Sequence, residues 1–471
     1  MHKPNAMGLT RALLKRVLYL VVLSICLGQT EAQSPSTSPQ KKDDILPNIV
    51  DQKTFLPNVL GSGQGVIYRP ILGPLFSGDI ANNFEAEDSN FNGTFNAVVF
   101  DDSFLEILGV SNASDPWVVP MNLVAEKNYP FAHEGTVWLE SLNSIFFTSN
   151  RLGDLNSSDQ YIEMWLLDVD TGELTQLDKN GTIPMPNGAT LYGDDKVLVC
   201  SQGKNATGSS LYVLDPVTGN ITLLIDNWFG LNFNSLNDVV VHPDGTILFT
   251  DPLYGFFQLF RNGSEQYSFG SYQIGSYIYM FRPGEQARVI DDSMKAPNGL
   301  AFSPDFKTLY ASDTFFFNGS AGFQAKEPHA IYAYDVDTDE EGRFLGISNK
   351  RMFHTSNIGV PDGIKVDNAG NVYTGVGNGV DVVAPDGTLI GSFNFPLGVA
   401  NLAFGGKDMD TLYMMNENKI VSVTLNTTAP HLPKATGLGG QALLPVSSSQ
   451  YQVNGLMNAV YVIFLGILAS V

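Results

Sequence analysis

The chain has 471 residues and a formal net charge of −22, because 48 Asp and Glu residues outnumber 26 Lys and Arg residues. Binding to a nucleic-acid backbone requires clustered cations, so this balance argues against a nucleic-acid partner. With 44% hydrophobic and 16% charged residues, 46 Gly and 25 Pro, the composition excludes a disordered chain and favours short strands joined by many turns.

The first predicted element is a secretory signal peptide over residues 1–32. Basic residues precede the apolar run Val17–Gly28, and small residues around Ala32 form a cleavage site. The run is too short to span a bilayer comfortably, and a polar stretch follows it. Residues 33–95 are interpreted as an N-terminal extension that is partly flexible.

Potential glycosylation sites independently support a secreted, extracellular protein. An N-x-S/T sequon is an acceptor when it lies on an exposed loop of a secreted chain. Only Cys200 would remain after cleavage, so no intrachain disulfide is expected, and this thiol is interpreted as a small buried apolar residue. The sequons occur at nine positions: Asn92, Asn112, Asn156, Asn180, Asn205, Asn220, Asn262, Asn318 and Asn426.

Short segments rich in β-branched and aromatic residues recur through the middle of the chain, each followed by a strand and a turn. A single four-stranded unit cannot bury both of its faces, so the units must stack in a ring. We therefore predict an all-β fold, a six-bladed β-propeller over residues 96–428, in which an N-terminal strand, such as one within Asn96–Leu108, completes the sixth unit and closes the ring. A β-sandwich or two β domains are the alternatives. The segments begin at Ile145, Val197, Ile247, Leu309, Val372 and Leu412.

A polar residue precedes the marker residue of each segment by 11 to 13 positions. Equivalent positions in a ring of blades surround one axis, so these side chains should converge on the central channel. Carboxylate and amide oxygens are ligands that Ca²⁺ prefers. Asn-Gly and Asp-Gly pairs are also common turns, so an ordinary turn is the alternative at several of them. The six residues are Glu134, Asn187, Asn237, Asn298, Asp362 and Asn401.

Several motifs resemble the gluconolactonase and senescence-marker-protein family, and most closely its secreted fungal lactonohydrolases. They occur in family order and with family-like spacing over about residues 131–423. The family fold is a six-bladed propeller, in agreement with the repeat count. The motifs are Glu134–Trp138, Asn234–Val239, Phe249–Gly255, Pro297–Asp305 and Pro361–Ile364.

The resemblance implies one divalent cation in the channel, held by Glu134, Asn237, Asn298 and Asp362. Ca²⁺ is the expected ion, with Zn²⁺, Mn²⁺ or Mg²⁺ as alternatives. The resemblance places Asn187 and His133 near the substrate, although a packed or solvent-facing histidine is the alternative for His133.

The implied activity is a hydrolase acting on a carboxylic ester, a lactonase that opens a lactone to the hydroxy acid. The cation would polarise the carbonyl while Asp362 assists attack by water. Two alternatives stay open: phosphotriester or other ester hydrolysis on the same propeller, and a non-catalytic extracellular binding propeller.

The last predicted element is a C-terminal tail over residues 429–471. Charged residues end at Lys434, and small residues at 447–449 precede the apolar run Leu456–Val471. This pattern is typical of a GPI-anchor signal, which would attach the protein to the cell surface or wall. A membrane-embedded tail and an element packed on the domain are the alternatives.

Overall fold

Six antiparallel sheets follow one another along the chain. The computed structural model describes residues 58–60, 96–109, 121–261, 274–317, 326–356, 358–395 and 397–433. The predicted signal peptide, most of the N-terminal extension and the apolar tail lie outside the described residues. Six successive sheets of at least four strands confirm the β-propeller and exclude the β-sandwich.

The first three blades each contain four strands in chain order from the innermost to the outermost, and in blade 1 a small hairpin is inserted between the second and third strands. Blade 1 contains Glu134–Leu139, Ser144–Thr148, Met164–Asp168 and Leu174–Leu177. Blade 2 contains Pro186–Tyr192, Lys196–Ser201, Ser210–Leu214 and Ile221–Ile225. Blade 3 contains Val239–Val241, Ile247–Asp251, Tyr277–Phe281 and Arg288–Asp291.

Two of the other three blades take strands from the N-terminal part of the chain. Blade 4 contains Pro297–Phe302, Thr308–Asp313, Ala330–Thr338 and Phe344–Thr355. Blade 5 contains Ile364–Val366, Val372–Val376, Gly379–Val383 and Leu389–Asn394, followed by Asn96–Val99 and Asn58–Leu60. Blade 6 contains Leu402–Gly405, Thr411–Asn416 and Lys419–Thr424, followed by Met121–Glu126.

Few other elements occur among the described residues. Two small hairpins pair Leu152–Gly153 with Gln160–Tyr161 and Asn227–Trp228 with Leu231–Asn232. Two short α-helices and one 3₁₀ turn complete the set. No described helix is long and apolar enough to cross a membrane. Helix α1 spans Ser103–Leu108, helix α2 spans Tyr254–Phe257, and the 3₁₀ turn spans Glu140–Leu142.

The prediction that Asn96–Leu108 completes the sixth blade is wrong. Asn96–Val99 pairs instead with Leu389–Asn394 as an extra outer strand of blade 5. The residues that follow have apolar side chains at helical rather than alternating spacing, and α1 buries Phe104 against Phe393 with ring centroids 5.4 Å apart. Met121–Glu126 closes the ring by pairing with Lys419–Thr424.

The hydrophobic core lies between the faces of neighbouring blades. One cluster of buried side chains joins blades 1 and 2, and further clusters fill the interfaces between blades 2 and 3, 3 and 4, and 4 and 5, while the largest links blades 5, 6 and 1. Because the middle strands are covered on both faces, runs such as Ile145–Phe147 are apolar throughout. Cys200 is free and fully buried in the cluster between blades 2 and 3, as predicted.

Candidate metal centre

The six polar residues of the repeat lie at or just before the start of the innermost strand of each blade. Five of them are buried, and Asp362 is partly exposed. Each lies at the blade end closest to the axis, where an ordinary surface turn would not place a buried polar side chain. The shared register predicted from the sequence is therefore a structural equivalence between the blades. The buried five are Glu134, Asn187, Asn237, Asn298 and Asn401.

Contacts between neighbouring blades join these positions into a ring. The Nδ2 of Asn401 donates to the Oε2 of Glu134 at 2.6 Å, which links blade 6 to blade 1. The backbone N–H of Gly188 donates to the backbone oxygen of Asn237 at 2.8 Å and links blade 2 to blade 3. A Cβ added to Gly363 would lie 2.6 Å from the side chain of Asn401. These contacts between neighbouring blades agree with the sequence prediction that the six side chains converge on one axis.

The Asn-Gly pairs at 187–188 and 298–299 are not turns, since both lie inside strands. Neither glycine has a positive φ, so the need for glycine here does not come from a left-handed backbone conformation. A Cβ on Gly299 would lie 2.2 Å from the backbone oxygen of Asp362 in the next blade, and one on Gly188 would lie equally close to that of Asn237. Glycine is required at both positions because adjacent blades approach each other closely at the axis.

The two acidic side chains of the ring have raised pKa values. Burial, and next the nearby negative charge of Asp362, raise the pKa of Glu134 to about 8. Burial also raises the pKa of Asp362 to about 7, although hydrogen bonds with Glu134 and Asn298 partly oppose this. Both carboxyl groups therefore hold protons more strongly than usual, and a cation between them would restore their ionised form.

Three buried oxygens of the ring have no hydrogen-bond partner: the Oδ1 atoms of Asn187, Asn237 and Asp362. An unsatisfied buried oxygen is costly, and a cation is one group that satisfies several at once. The donor atoms of Glu134 and Asp362 lie within 4.8 Å of each other and of His133. The residues present therefore fit a divalent cation with carboxylate and amide ligands.

Two buried aspartates position the loops that carry the amide side chains. Asp251 accepts backbone hydrogen bonds from Asn234 at 3.0 Å and Ser235 at 2.7 Å, the residues three and two positions before Asn237. Asp313 accepts from residues 295 and 296 at 2.9 and 3.0 Å, three and two positions before Asn298. In blades 3 and 4, an aspartate that accepts two backbone hydrogen bonds thus orients the equivalent ring residue.

Hydroxyl groups at equivalent places hold the backbone of the next blade. The side-chain oxygens of Thr148, Thr250 and Ser312 donate to the backbone oxygens of Asn187, Asn298 and Asp362 at 3.2, 2.9 and 2.9 Å respectively. Sequence reasoning missed this role. The signal was present, because each hydroxyl residue ends one of the recurring strand segments.

Glu417 is a site residue that the sequence did not suggest. Its Oε1 lies 2.7 Å from the Nδ1 of His133, and its Oε2 accepts from Asn150 at 3.0 Å. Burial raises the pKa of Glu417, but the charge and hydrogen bond of His133 outweigh burial and leave the pKa lowered. Glu417 lies in the Asn416–Lys419 turn, outside every recurring motif, so no pattern could have identified it.

The channel beyond the ring is a largely apolar cavity of about 120 Å³. It is lined by the residue two positions after each ring residue, and Asp238 and Lys365 are its charged groups near the ring. Residues 429–433, which begin the predicted tail, lie at its other end. This largely apolar interior agrees with burial being the largest cause of the raised carboxyl pKa values.

The chain matches the SMP-30/Gluconolactonase/LRE-like region family over residues 133–417. This span is more than half of its length. The chain belongs to this family. Every ring residue lies within the matched span, and so does Glu417, its last residue.

Curated relatives and solved structures agree with this assignment. The lactonohydrolase oryH of Aspergillus oryzae is 26% identical over 64% of this chain and 76% of its own length. The gluconolactonase of Zymomonas mobilis is 26% identical over 62% of this chain and 78% of its own length. A Xanthomonas campestris structure, described as a gluconolactonase important in glucose secondary metabolic pathways, is 25% identical with a TM-score of 0.52, covering 69% of this chain and 94% of its own.

Proposed function

We propose that this protein is a metal-dependent lactonohydrolase, which hydrolyses a lactone ring to the corresponding hydroxy acid. One observation carries the proposal: two carboxyl groups, one buried and one partly exposed, meet unsatisfied amide oxygens at the propeller axis. The family relatives named lactonohydrolase and gluconolactonase support a lactone as the substrate class. Hydrolysis of a phosphotriester and binding of a ligand without reaction are the alternatives that a lactone assay distinguishes.

The residues proposed to hold the cation are Glu134, Asn237, Asn298 and Asp362. When bound, the cation supplies Lewis acidity to the lactone carbonyl. Asp362 accepts a proton from water as the hydroxide adds to the carbonyl carbon. The ring C–O bond then breaks, and the proton returns to the former ring oxygen, which becomes the hydroxyl group of the product. Two carboxylates balance the formal charge of a divalent cation and the amide ligands are neutral, so a neutral lactone is not electrostatically excluded from the site.

The substrate is proposed to meet the ring next to Asn187, whose Oδ1 is unsatisfied. On the side of blades 3 and 4, α2 and the residues that follow Thr308–Asp313 form a buried aromatic cluster. Tyr254 is hydrogen-bonded to Thr314, and Phe257 packs against Phe315 with ring centroids 6.2 Å apart.

The proposed place of action is outside the cell. Five of the nine sequons lie within the described residues, and all five side chains are exposed, as glycosylation requires. The other four sequons and the predicted anchor signal lie outside the described residues, so cell-surface or wall attachment through the tail stays a prediction. Mass analysis of the secreted protein before and after enzymatic deglycosylation tests this part of the proposal.

The test is acid release from a panel of aldonate and other lactones, measured with and without a chelator. We expect chelator-sensitive hydrolysis that returns when a divalent cation is restored. Acid release that is unaffected by the chelator would contradict metal dependence. If no lactone releases acid, but a phosphotriester or open-chain ester is cleaved in a chelator-sensitive way, the lactonase proposal is wrong. Phosphotriester or ester hydrolysis would then be the activity of this protein.

A further inference from the structure

A histidine lies beside the two carboxyl groups of the ring. Donor atoms of His133, Glu134 and Asp362 all lie within 4.8 Å of one another, and this is the one such cluster of three His, Cys, Asp or Glu residues in the described part of the chain. Two ligands of a tetrahedral Zn²⁺, each about 2.1 Å from the ion, are roughly 3.4 Å apart. Donor atoms within 4.8 Å of one another can therefore reach one ion once their side chains move together by about 1 Å or slightly more.

The ring of His133 is held so that one nitrogen is committed. A carboxylate can only accept, so Nδ1 carries the proton and donates to the Oε1 of Glu417 at 2.7 Å. Asn150 fixes the other oxygen of that carboxylate at 3.0 Å. A backbone hydrogen bond also links the two segments, because the N–H of Ala132 donates to the backbone oxygen of Glu417 at 2.9 Å. In the neutral imidazole this leaves Nε2 as the nitrogen whose lone pair can bind a metal.

A carboxylate that holds the far nitrogen of an imidazole is the usual arrangement behind a metal-binding histidine. Glu417 therefore orients the imidazole of His133, while Asn150 and the backbone bond to Ala132 hold Glu417 itself in place. We propose that His133 is a nitrogen ligand of the metal centre through Nε2, oriented by Glu417. This inference rests on the metal centre of the proposed function and assigns His133 to the ion rather than to the substrate.

The proposal changes the expected metal. Four oxygen ligands alone suit Ca²⁺, a hard ion that rarely takes imidazole. With one imidazole and two carboxylates, the donor set instead favours a borderline ion such as Zn²⁺. The chemical class of the bound ion is therefore a nitrogen-accepting transition metal, and the calcium expected from the sequence should bind more weakly.

The experiment uses the full-length, metal-stripped protein without any substrate. One equivalent of Cu²⁺ is added as a spectroscopic probe, and pulsed electron paramagnetic resonance detects the remote nitrogen of a bound imidazole. Calorimetry then compares the affinities for Zn²⁺ and Ca²⁺. We expect imidazole modulation in the wild-type protein and tighter binding of Zn²⁺ than of Ca²⁺. Absence of modulation would overturn the proposal without any variant being needed.

Three variants locate the nitrogen. His133→Gln should abolish the modulation and lower Zn²⁺ affinity by more than tenfold, with little effect on Ca²⁺. Glu417→Gln should keep the modulation but weaken Zn²⁺ binding by about 10- to 100-fold, as loss of a group that orients a ligand does. His354→Gln is the matched control, because this buried histidine faces Asp381 at 3.5 Å on blades 4 and 5, and it should change neither measurement.

Modulation that persists in His133→Gln would assign the nitrogen to another residue and reject the proposal. Because the readout needs no substrate, its result is separate from the lactone panel. Nitrogen ligation with no lactone hydrolysis would reject the proposed function alone. Chelator-sensitive hydrolysis with an all-oxygen site would reject only the role of His133.

Discussion

Asp362 combines features that no other aspartate of the described chain combines. Its Oδ1 is buried without a partner, its backbone oxygen is held by Ser312, and burial raises its pKa to about 7. That pKa describes the metal-free site, because a cation in the ring would favour the ionised carboxylate. An ionised carboxylate has two oxygens, so one can bind the cation while the other accepts a proton from water, and Asp362 can serve both proposed roles.

We predict that Asp362→Asn abolishes lactone hydrolysis and leaves the fold intact. An amide of the same shape cannot accept the proton from water, so the rate should fall by at least about 100-fold, the lower range for loss of general base catalysis. Initial rates of acid release and far-ultraviolet circular dichroism measure the two effects. The matched control is Asp386→Asn, the exposed Asp-Gly turn of the same blade, which should keep full activity. Comparable turnover in both variants would remove Asp362 from the mechanism.

Glu134 is the other ionisable oxygen donor of the ring. We predict that Glu134→Gln weakens binding of a divalent cation, because the neutral amide loses the charge attraction while keeping the shape. Asn401 can still donate to the remaining side-chain oxygen, so the fold should be little affected. Calorimetric titration of the metal-free protein measures the change, with exposed Glu106→Gln of α1 as the control. An undiminished affinity would argue that Glu134 is not a ligand.

At the scale of the strand, the innermost elements are constrained by how closely they approach each other. We predict that Gly299→Ala destabilises the protein by about 1–3 kcal/mol, because the new Cβ would overlap the backbone oxygen of Asp362. The control is Gly346→Ala in the long outer strand of blade 4, where a Cβ meets no atom within 4 Å and φ is not positive. That change should be neutral or slightly stabilising. Urea unfolding compares the two, and equal midpoints would contradict the close-approach argument.

The elements that repeat were predictable from the sequence, and so was the ring that they form. Strand segments bounded by turn residues indicated the number of blades, and one polar residue at constant distance before each indicated the axis. These features are local, since a strand and its turn are contiguous in the chain. The glycines after ring residues were also visible, although their cause was not, because a turn and a close approach both require glycine.

The features that could not be predicted depend on contacts between distant parts of the chain. The closing strand Met121–Glu126 pairs with a strand about 300 residues later, and its exposed residues alternate too weakly to distinguish it from a loop. Glu417 reaches His133 across the same junction of blades 6 and 1. Both belong to the one place where the ring closes, and a repeat pattern says nothing about closure.

At the scale of the whole molecule, closure of the ring brings the site residues of blade 6 next to those of blade 1. Blade 6 combines three strands from the end of the described chain with one from its beginning. The Asn401–Glu134 and Glu417–His133 contacts cross the adjoining interface between blades 6 and 1. The metal centre therefore spans the junction, and binding of a cation should resist opening of the ring there.

The whole molecule should show this coupling in the pH dependence of its stability. Glu134 and Asp362 have pKa values of about 8 and about 7 in the folded protein, above the ordinary values of 4.5 and 3.8. At pH values between the ordinary pKa and the raised pKa of each group, the folded state binds more protons than the unfolded state. The free energy of unfolding therefore falls as the pH rises. We predict that the metal-free protein loses free energy of unfolding from pH 5 to pH 7, by at most about 1.4 kcal/mol per pH unit for each group.

A bound cation needs both groups ionised, so saturating metal should stabilise the protein more at pH 7 than at pH 5 and flatten its pH profile. Chemical unfolding at several pH values, with chelator and with excess metal, measures both curves. The double variant Glu134→Gln with Asp362→Asn is the control. It should lose the part of the slope due to Glu134 and Asp362 and retain the part due to other groups with raised pKa values, among them His133 and Asp251, whose pKa burial raises to about 7. A metal-free wild-type protein that grew more stable from pH 5 to pH 7 would show that the two carboxyl groups are already compensated within the ring.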